Sequence, residues 1–191
     1  MGYFKSRSLQ CKTGETVVIR SATQADANRI NQLAQEVFRT SQYLVTQPDE
    51  FPSPDENEQR ARIARFEVGK NDVLLVADTG NEIVGMLDFH GGKKRRIAHK
   101  GVFGISVHPH WQNKGIGRLL LSSLIEWVKE HPTVEVINLN VMEENKPAIA
   151  LYSKLGFEVI GREPYGIKLG NGQYMADLMM SLRVEKSPAH T

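Results

Sequence analysis

Two glycines at the start of a predicted helix are the residues of this sequence best suited to bind a phosphate. Gly115 and Gly117 follow an apolar strand at 103–107 and open a helix with one apolar face that runs to Val128. The first turn of a helix leaves backbone N–H groups unpaired at the positive end of its dipole, and glycine has no Cβ to hold a phosphate away from them. Further donors are supplied by Gln112, Asn113, Lys114 and Arg118.

Three phosphate-binding motifs combine a strand, a glycine turn and a helix. The P-loop string G-x-x-x-x-G-K-[ST] does not occur in the sequence. A dinucleotide fingerprint needs a third glycine where Leu120 stands, and its ribose-binding acid should close a strand, whereas Glu135 opens one. The third motif, Q-x-x-G-x-G, is matched by Gln112, Gly115 and Gly117. The residues therefore favour the third motif.

A second motif lies on the next predicted helix. The string N-x-x-A-x-x-L-Y-x-K-L-G-F begins at Asn145 and ends at Phe157. Tyr152 follows Asn145 by seven residues, about two helical turns, so the two side chains share one face. A phenol of reference pKa about 10 stays protonated at neutral pH and can donate its proton. The alternative role for Tyr152 is packing in the core.

Together the two motifs resemble the GCN5-related N-acetyltransferase (GNAT) superfamily, nearest to bacterial members that acetylate amino acids or ribosomal-protein alanine. The resemblance covers roughly residues 17–182 and implies acetyl-CoA as cosubstrate, with direct transfer to a primary amine. It implies that Tyr152 is the general acid and that the strand at 104–107 splays away from the strand at 136–141. The residues implied to bind acetyl-CoA are Ile105, Ser106, Val107, Gln112, Asn113, Lys114, Gly115, Ile116, Gly117, Arg118, Asn140, Asn145, Ala148 and Lys154.

The general base is where the sequence departs from the superfamily. Many members carry a glutamate about six positions before the residue that matches Val107, and this chain has Gly101 there. His99 lies nearby, and histidine is the residue type whose reference pKa lies near neutrality, so we take His99 as the candidate base. Its alternative role is that of a surface histidine. Asp88 and Glu143 remain as bases that act through water.

The acceptor is open at this stage. The stretches H-x-G-x-F-G-I-S-V at 99–107 and N-G-x-Y at 171–174 are most similar to acetyltransferases of free amino acids, and enzymes of ribosomal-protein N-termini resemble the chain nearly as well. Polyamine or antibiotic acetylation is an alternative. A non-catalytic acyl-CoA-binding module is a second class, and a nucleotide-dependent oxidoreductase, which would bind NAD, is a third.

The composition predicts one folded unit and names no partner. The chain has 191 residues, 40% of them hydrophobic, and a net charge of +2. We expect no nucleic-acid or membrane partner, and a cytoplasmic protein, because no apolar run reaches membrane-spanning length and the first residues lack a signal peptide's apolar region. Cys11 is the only cysteine and no zinc-binding spacing appears, so we expect no metal.

The order of elements predicts an α/β (α+β) domain at 17–184, between a flexible lead-in at 1–16 and a tail at 185–191. We expect a mixed central sheet of about seven strands with four helices. The first two helices start at Thr23 and at Ser53, and the loop between them is a candidate substrate lid. The strand at 174–182 is predicted to lie at the sheet edge, where a homodimer could form.

Overall fold

One mixed sheet of eight strands, covered by helices on both faces, forms the framework of the computed structural model, which describes residues 3–47, 49–50 and 54–186. The strands are β1 (Arg7–Gln10), β2 (Thr16–Ser21), β3 (Val73–Asp78), β4 (Ile83–Gly91), β5 (Lys100–Val107), β6 (Val136–Met142), β7 (Glu158–Lys168) and β8 (Tyr174–Arg183). The helices are α1 (Ala27–Thr40), α2 (Glu56–Val68), α3 (Ile116–Glu130) and α4 (Lys146–Lys154). The predicted fold class and the four helices are confirmed.

The strand order is β1-β2-β3-β4-β5-β6-β8-β7, and every neighbouring pair is antiparallel except β5 and β6. The β5–α3–β6 unit supplies the parallel crossover that the sequence predicted. Two apolar clusters hold the layers together. One joins α1 and α2 to β3 and β4 through residues such as Ile30, Ile63 and Val76. The other packs α3 on the opposite face through Leu120, Leu124 and their neighbours.

A notch opens where β5 and β6 separate. The two strands pair only from Lys100–Val136 to Val102–Asn138. Beyond that point β5 continues to pair with β4 as far as Val107, and β6 continues to pair with β8 as far as Met142. The gap, which we call the notch, therefore exposes backbone groups of both strands to a ligand. This is the predicted splay of the two strands.

Residues 3–16 contain a strand where the sequence predicted a flexible lead-in. Residues 7–10 form β1, which pairs with β2 in full register, and Phe4 and Cys11 are buried in the core. The turn at Thr13-Gly14, with Gly14 at φ +91°, is a hairpin signal that the sequence analysis did not use. This strand raises the sheet from about seven strands to eight.

The start of α2 and the far edge of the sheet also differ from the sequence prediction. Helix α2 begins at Glu56 with Asp55 as its N-cap, and the backbone N–H of Glu58 donates to Asp55 Oδ1 at 2.8 Å. The predicted cap, Ser53, lies outside the described residues. Strand β8 is not an edge, because it lies between β6 and β7, so the stated basis for a homodimer is wrong. The sheet ends at β7.

The end of α3 is tied to the last described residues. Lys186 Nζ donates to the carbonyl oxygens of Val128 and Val134, and to that of His131 at 2.5 Å. The His131 ring is buried: Nδ1 accepts from the N–H of Val134 at 3.0 Å and Nε2 donates to Lys70 O at 2.9 Å. Lys186, the second residue of the predicted tail at 185–191, is thus bonded to the fold. Within the described residues, none of the helices is long and apolar enough to span a bilayer.

Candidate active site

The glycine loop borders a cavity of about 580 Å³ between the start of α3, the end of β5 and α4, which we call the glycine-loop cavity. Most residues that the sequence analysis assigned to acetyl-CoA line it. They are Ile105, Ser106, Val107, Gln112, Asn113, Gly115, Ile116, Gly117, Arg118, Asn145, Ala148 and Lys154. The structure therefore brings together side chains that are separated by up to 49 positions in the chain.

The two glycines of the loop act in different ways. Gly115 caps α3 at φ +94°, a left-handed conformation that other residues adopt at a cost in energy. Gly117 has an ordinary conformation, but a Cβ there would lie 3.4 Å from Leu151 Cδ2 and 3.8 Å from Ile105 Cδ1. Both distances are ordinary van der Waals contacts, so packing alone does not require glycine at position 117. Gly115 is set by the backbone conformation of the loop, whereas Gly117 lines the cavity without a side chain.

Two of the predicted acetyl-CoA residues have other positions. Lys114 Nζ lies 3.2 Å from Glu15 Oε1 and 4.3 Å from the centre of the Trp111 ring, so this cation is held by the protein itself. Asn140 lies on the far side of the notch. Lys12, which the sequence analysis missed, lines the glycine-loop cavity from the β1–β2 turn, and its N–H donates to Lys114 O at 2.8 Å. Lys12 therefore lines the cavity, whereas Lys114 does not.

A second cavity of about 560 Å³ opens on the other side of the notch, and we call it the notch cavity. It is bordered by β4, β5, β6 and β8, and by Tyr43 and Leu44, which follow α1. The residues that line both cavities are Tyr43, Leu44, Ile105, Ser106, Asn145 and Tyr152. Two separate ligands could thus meet at the notch.

Tyr152 lies at this junction. It is 7% exposed, and its ring packs edge-on against Phe103, with 5.9 Å between ring centres, and lies 5.9 Å from Phe157. Burial raises the pKa of Tyr152 to about 12, because the charged phenolate would lose its hydration. Tyr152 therefore belongs to the apolar core and also lines both cavities.

Asn145 also has two roles. Its Oδ1 accepts a hydrogen bond from the N–H of Ala148 at 3.3 Å, which caps α4. The residue lines both cavities as well. Because the cap uses only the carbonyl oxygen of the side chain, the amide Nδ2 can donate to a ligand. Capping and ligand binding do not conflict.

Comparison with known proteins identifies the architecture that carries this arrangement. The model of the acetyltransferase (GNAT) family matches residues 30–157, more than half of the chain. The chain belongs to the acetyltransferase (GNAT) family. The predicted family and the predicted enzyme class, an N-acetyltransferase, are confirmed.

Individual relatives agree with this assignment. The L-amino acid N-acetyltransferase AaaT of Escherichia coli (strain K12) is 31% identical over 160 residues, which are 83% of this chain and 93% of that protein. The N-alpha-acetyltransferase RimI of Mycobacterium tuberculosis is 29% identical over 147 residues, 77% of this chain and 82% of that protein. A phosphinothricin acetyltransferase from Sinorhizobium meliloti, solved in complex with acetyl-CoA, shares the fold at a TM-score of 0.74 and 22% identity, covering 92% of each chain.

Gly101 explains why this GNAT chain lacks the strand glutamate of many members. A Cβ at Gly101 would lie 2.3 Å from Phe89 Cζ and 2.5 Å from His90 O. No side chain fits there without a shift of the neighbouring backbone. The packing around Gly101 therefore leaves no room for a base at this position.

His99 is not brought to the site. It is exposed, precedes the first residue of β5, and lines neither cavity. Its carbonyl accepts from the N–H groups of Glu135 and Val136 where β5 and β6 are still paired. Ile105 lies six residues further along the strand, roughly 20 Å away at about 3.3 Å per residue. His99 is close in sequence to the position of the missing glutamate, but it is not close to the notch.

Of the other two candidates, Asp88 lies at the notch cavity and Glu143 does not. Asp88 lines the cavity opposite Gly104, and its Oδ2 lies 3.0 Å from His90 Nε2. The hydrogen bond to Asp88 raises the pKa of His90. Glu143 forms a two-bond ion pair with Arg162 at 2.8 and 2.7 Å, and this partner lowers the pKa of Glu143. Glu143 therefore bonds to Arg162 of β7 and does not line the notch cavity.

Proposed function

We propose that this protein transfers the acetyl group of acetyl-CoA directly to a primary amine, the α-amino group of a free amino acid or of a protein N-terminus. The observation that carries the proposal is the position of Tyr152 on the boundary of the glycine-loop cavity and the notch cavity. A donor in the first cavity and an acceptor in the second meet beside one buried phenol. The names of the relatives AaaT and RimI support an α-amine as acceptor.

The glycine-loop cavity fits the donor by its chemistry. Lys12, Arg118 and Lys154 bring positive charge to a cavity whose floor is the N-terminal turn of α3, and pyrophosphate is the charged part of acetyl-CoA. Gly117 leaves the space that a side chain would otherwise occupy. We assign the residues of the cavity listed above to acetyl-CoA, add Lys12, and assign Asn140 to the acceptor side.

On the donor side of the reaction, a residue of the chain must protonate the thiolate that leaves acetyl-CoA. When bound, acetyl-CoA supplies a thioester, whose C–S bond breaks as the bond from the carbonyl carbon to the amine nitrogen forms. Tyr152 stays protonated at neutral pH and donates to the departing sulfur. The pKa of a thiol also rises on burial, which reduces the mismatch with the phenol. Unpaired N–H groups of β5 beyond Val102 can hold the carbonyl oxygen as it gains negative charge.

On the acceptor side the amine must lose a proton. The α-amino group at a peptide terminus has a reference pKa of about 7.7–8.0, so roughly a tenth is neutral at pH 7, whereas a lysine-type amine has a pKa of about 10.4. The amine of a peptide terminus therefore places a smaller demand on a base than a lysine-type amine does. We assign the proton acceptor to Asp88, acting directly or through water, with His90 as the positioning residue that holds its carboxylate.

Release of free thiol from acetyl-CoA tests the proposal. Amino acids, peptides with a free amino terminus, polyamines and aminoglycosides are offered separately, with Tyr152→Phe beside the wild type. We expect release with α-amines, and a loss of kcat on the order of 10²-fold in Tyr152→Phe while acetyl-CoA still binds. Acetyl-CoA binding without release from any amine would indicate an acyl-CoA-binding module. Binding of NAD without binding of CoA would reject the acetyltransferase assignment for this site.

Polyamine acetylation is the second candidate, and one observation favours it. The notch cavity contains two carboxylates, those of Asp88 and Asp177, which attract a substrate with several ammonium groups. Faster thiol release with a polyamine than with any α-amine would select this alternative.

A further inference from the structure

The charged side chains of the notch cavity are all acidic. Among the described residues that line it, Asp88 and Asp177 are carboxylates, and none is a lysine or an arginine. The polar residues beside them, such as Ser106, Asn140 and Asn145, are uncharged. His90 bonds to Asp88 from outside the cavity, and a ligand that enters therefore meets negative charge with no lysine or arginine among the described lining residues.

Both carboxylates are held in position by the sheet. Asp177 lies on β8 opposite Met142, and its Oδ2 accepts from Asn140 Nδ2 at 2.5 Å. The chain also closes over it from β7, since a Cβ at Gly166 would lie 2.7 Å from Asp177 Cβ. Asp88 stands across the notch on β4, with its side chain 18% exposed and bound to His90. The negative charge is thus fixed on two opposite walls.

The chain segment beside the cavity has the same sign of charge. Residues 40–59 contain five aspartates and glutamates and no lysine or arginine. Three residues of this segment, Tyr43, Leu44 and Val45, line the notch cavity. The sequence that supplies these three lining residues therefore carries a net negative charge, which favours cations over anions.

We infer that the acceptor is an α-amine whose neighbouring carboxyl group is blocked by an amide bond, as at the amino terminus of a peptide, and that Asp177 disfavours free amino acids. This inference rests on the proposed function and narrows it. A free amino acid would place its own carboxylate within the notch, near two fixed carboxylates and away from bulk water, where like charges repel strongly. A peptide terminus presents the same ammonium group with a neutral amide in that place.

Matched pairs of substrates test the inference in the wild-type enzyme. Each pair consists of a free amino acid and its amide, for example methionine and methioninamide or alanine and alaninamide, with a tetrapeptide that begins with the same residue as a third acceptor. We expect kcat/KM for the amide and the peptide to exceed that of the free amino acid by about tenfold or more, the range of a like-charge penalty in a partly desolvated site. Equal or faster acetylation of the free amino acid, or faster acetylation of a diamine such as putrescine, would overturn the inference.

The variant Asp177→Asn separates the protein's contribution from the intrinsic difference between the substrates. An amide lowers the basicity of its neighbouring amine, but this difference is the same for both enzymes, so a change in the amide-to-acid ratio reports the cavity. We expect the ratio to fall at least about threefold, mainly because the free amino acid becomes a better substrate. Glu158→Gln removes one negative charge from an exposed position on β7 outside both cavities and should leave the ratio unchanged.

The outcomes distinguish this inference from the function on which it rests. Thiol release that favours free amino acids keeps the acetyltransferase proposal and rejects the role of Asp177. An unchanged ratio in Asp177→Asn, with normal acetyl-CoA binding as evidence of folding, also rejects that role. Absence of release with every amine counts against the proposed function itself.

Discussion

The side chain of Phe89 occupies the space that a side chain at position 101 would need. A Cβ on Gly101 would come within 2.3 Å of Phe89 Cζ. Phe89 is fully buried and packs edge-on against Trp127, with 5.7 Å between the ring centres, so it has little room to move. The core beneath β5 therefore excludes a base from the strand position where many family members carry a glutamate, and we propose Asp88 on the neighbouring strand in its place.

Replacing Gly101 should destabilise the protein. Gly101→Ala forces Phe89 or the backbone of His90 to shift, and we expect a loss of about 1–3 kcal/mol in the free energy of unfolding, the usual cost of overpacking. Gly170→Ala is the matched control, because a Cβ added at Gly170 would have no heavy atom within 4 Å, and it should change stability by less than about 0.5 kcal/mol. Urea unfolding compares the two variants. Equal stability of both would show that the contact at Phe89 relaxes freely.

The two candidate bases are distinguished by Asp88→Asn and His99→Gln. Removal of the Asp88 carboxylate takes away the proton acceptor at the notch cavity, so we expect kcat for an α-amine to fall on the order of 10²-fold. His99 is exposed and lines neither cavity, so we expect its variant to stay within about twofold of the wild type, as for most surface substitutions. Steady-state kinetics at saturating acetyl-CoA measures both. The opposite ranking would restore His99 as the base.

Lys12 should contribute to the affinity for acetyl-CoA. Lys12→Ala removes a cation from the glycine-loop cavity, and loss of one charge-assisted hydrogen bond corresponds to an increase in KM of about tenfold. Lys5→Ala, an exposed lysine of the same segment that lines neither cavity, is the control. The effect of Lys12→Ala should shrink at high salt, because screening weakens the contribution of the charge in the wild type. Identical KM values for the two variants would remove Lys12 from the site.

His131 should make the fold less stable in acid. Burial is the main cause of its lowered pKa in the folded state, with Lys186 as a nearby cation. The unfolded chain therefore binds a proton at a higher pH than the folded chain, and stability falls as the pH drops through the unfolded value of about 6.5. His90 has the opposite effect on stability, because its pKa is raised in the folded state. The stability that His90 contributes is fully present below the unfolded pKa of about 6.5 and is lost as the pH rises through the folded pKa.

The contributions of the two histidines to the pH dependence of stability can be separated by comparing the wild type with a variant of one histidine. Urea unfolding of the wild type and of His131→Gln is compared at pH 8 and pH 5, so that the contribution of His90 cancels. We expect the advantage of the wild type over the variant to be larger at pH 8 than at pH 5. An advantage that grows on acidification would mean that His131 is protonated in the fold.

The parts of this site that were predictable from sequence are those with local causes. The loop around Gly115 and the helix that begins after Asn145 are defined by backbone conformation and capping within a few residues, and the structure places both as expected. Their convergence on one cavity followed from the resemblance to a family with a known order of elements. These features would be recognisable in any chain with the same strings.

Features that depend on strand register were not predictable from sequence. Lys12 reaches the glycine loop because β1 pairs with β2 at the sheet edge, a contact between residues about a hundred positions apart. Asp88 reaches the notch cavity because the antiparallel register sets it opposite Gly104, while His99, nearer in sequence to the glycine loop, is left at the paired end of β5. A shift of register by one residue would turn Asp88 to the other face of the sheet.

The notch leaves the sheet incomplete in the absence of a ligand. Strands β5 and β6 share only three residue pairs, and the rest of their facing edges has no strand between them. A linear ligand that bonds to these edges takes the place of the missing ladder, so the two halves of the sheet are joined across the notch most firmly when the site is occupied. Amide hydrogen exchange along 103–107 should therefore slow on ligand binding, and the enzyme's own strand would report its occupancy without any measurement of turnover.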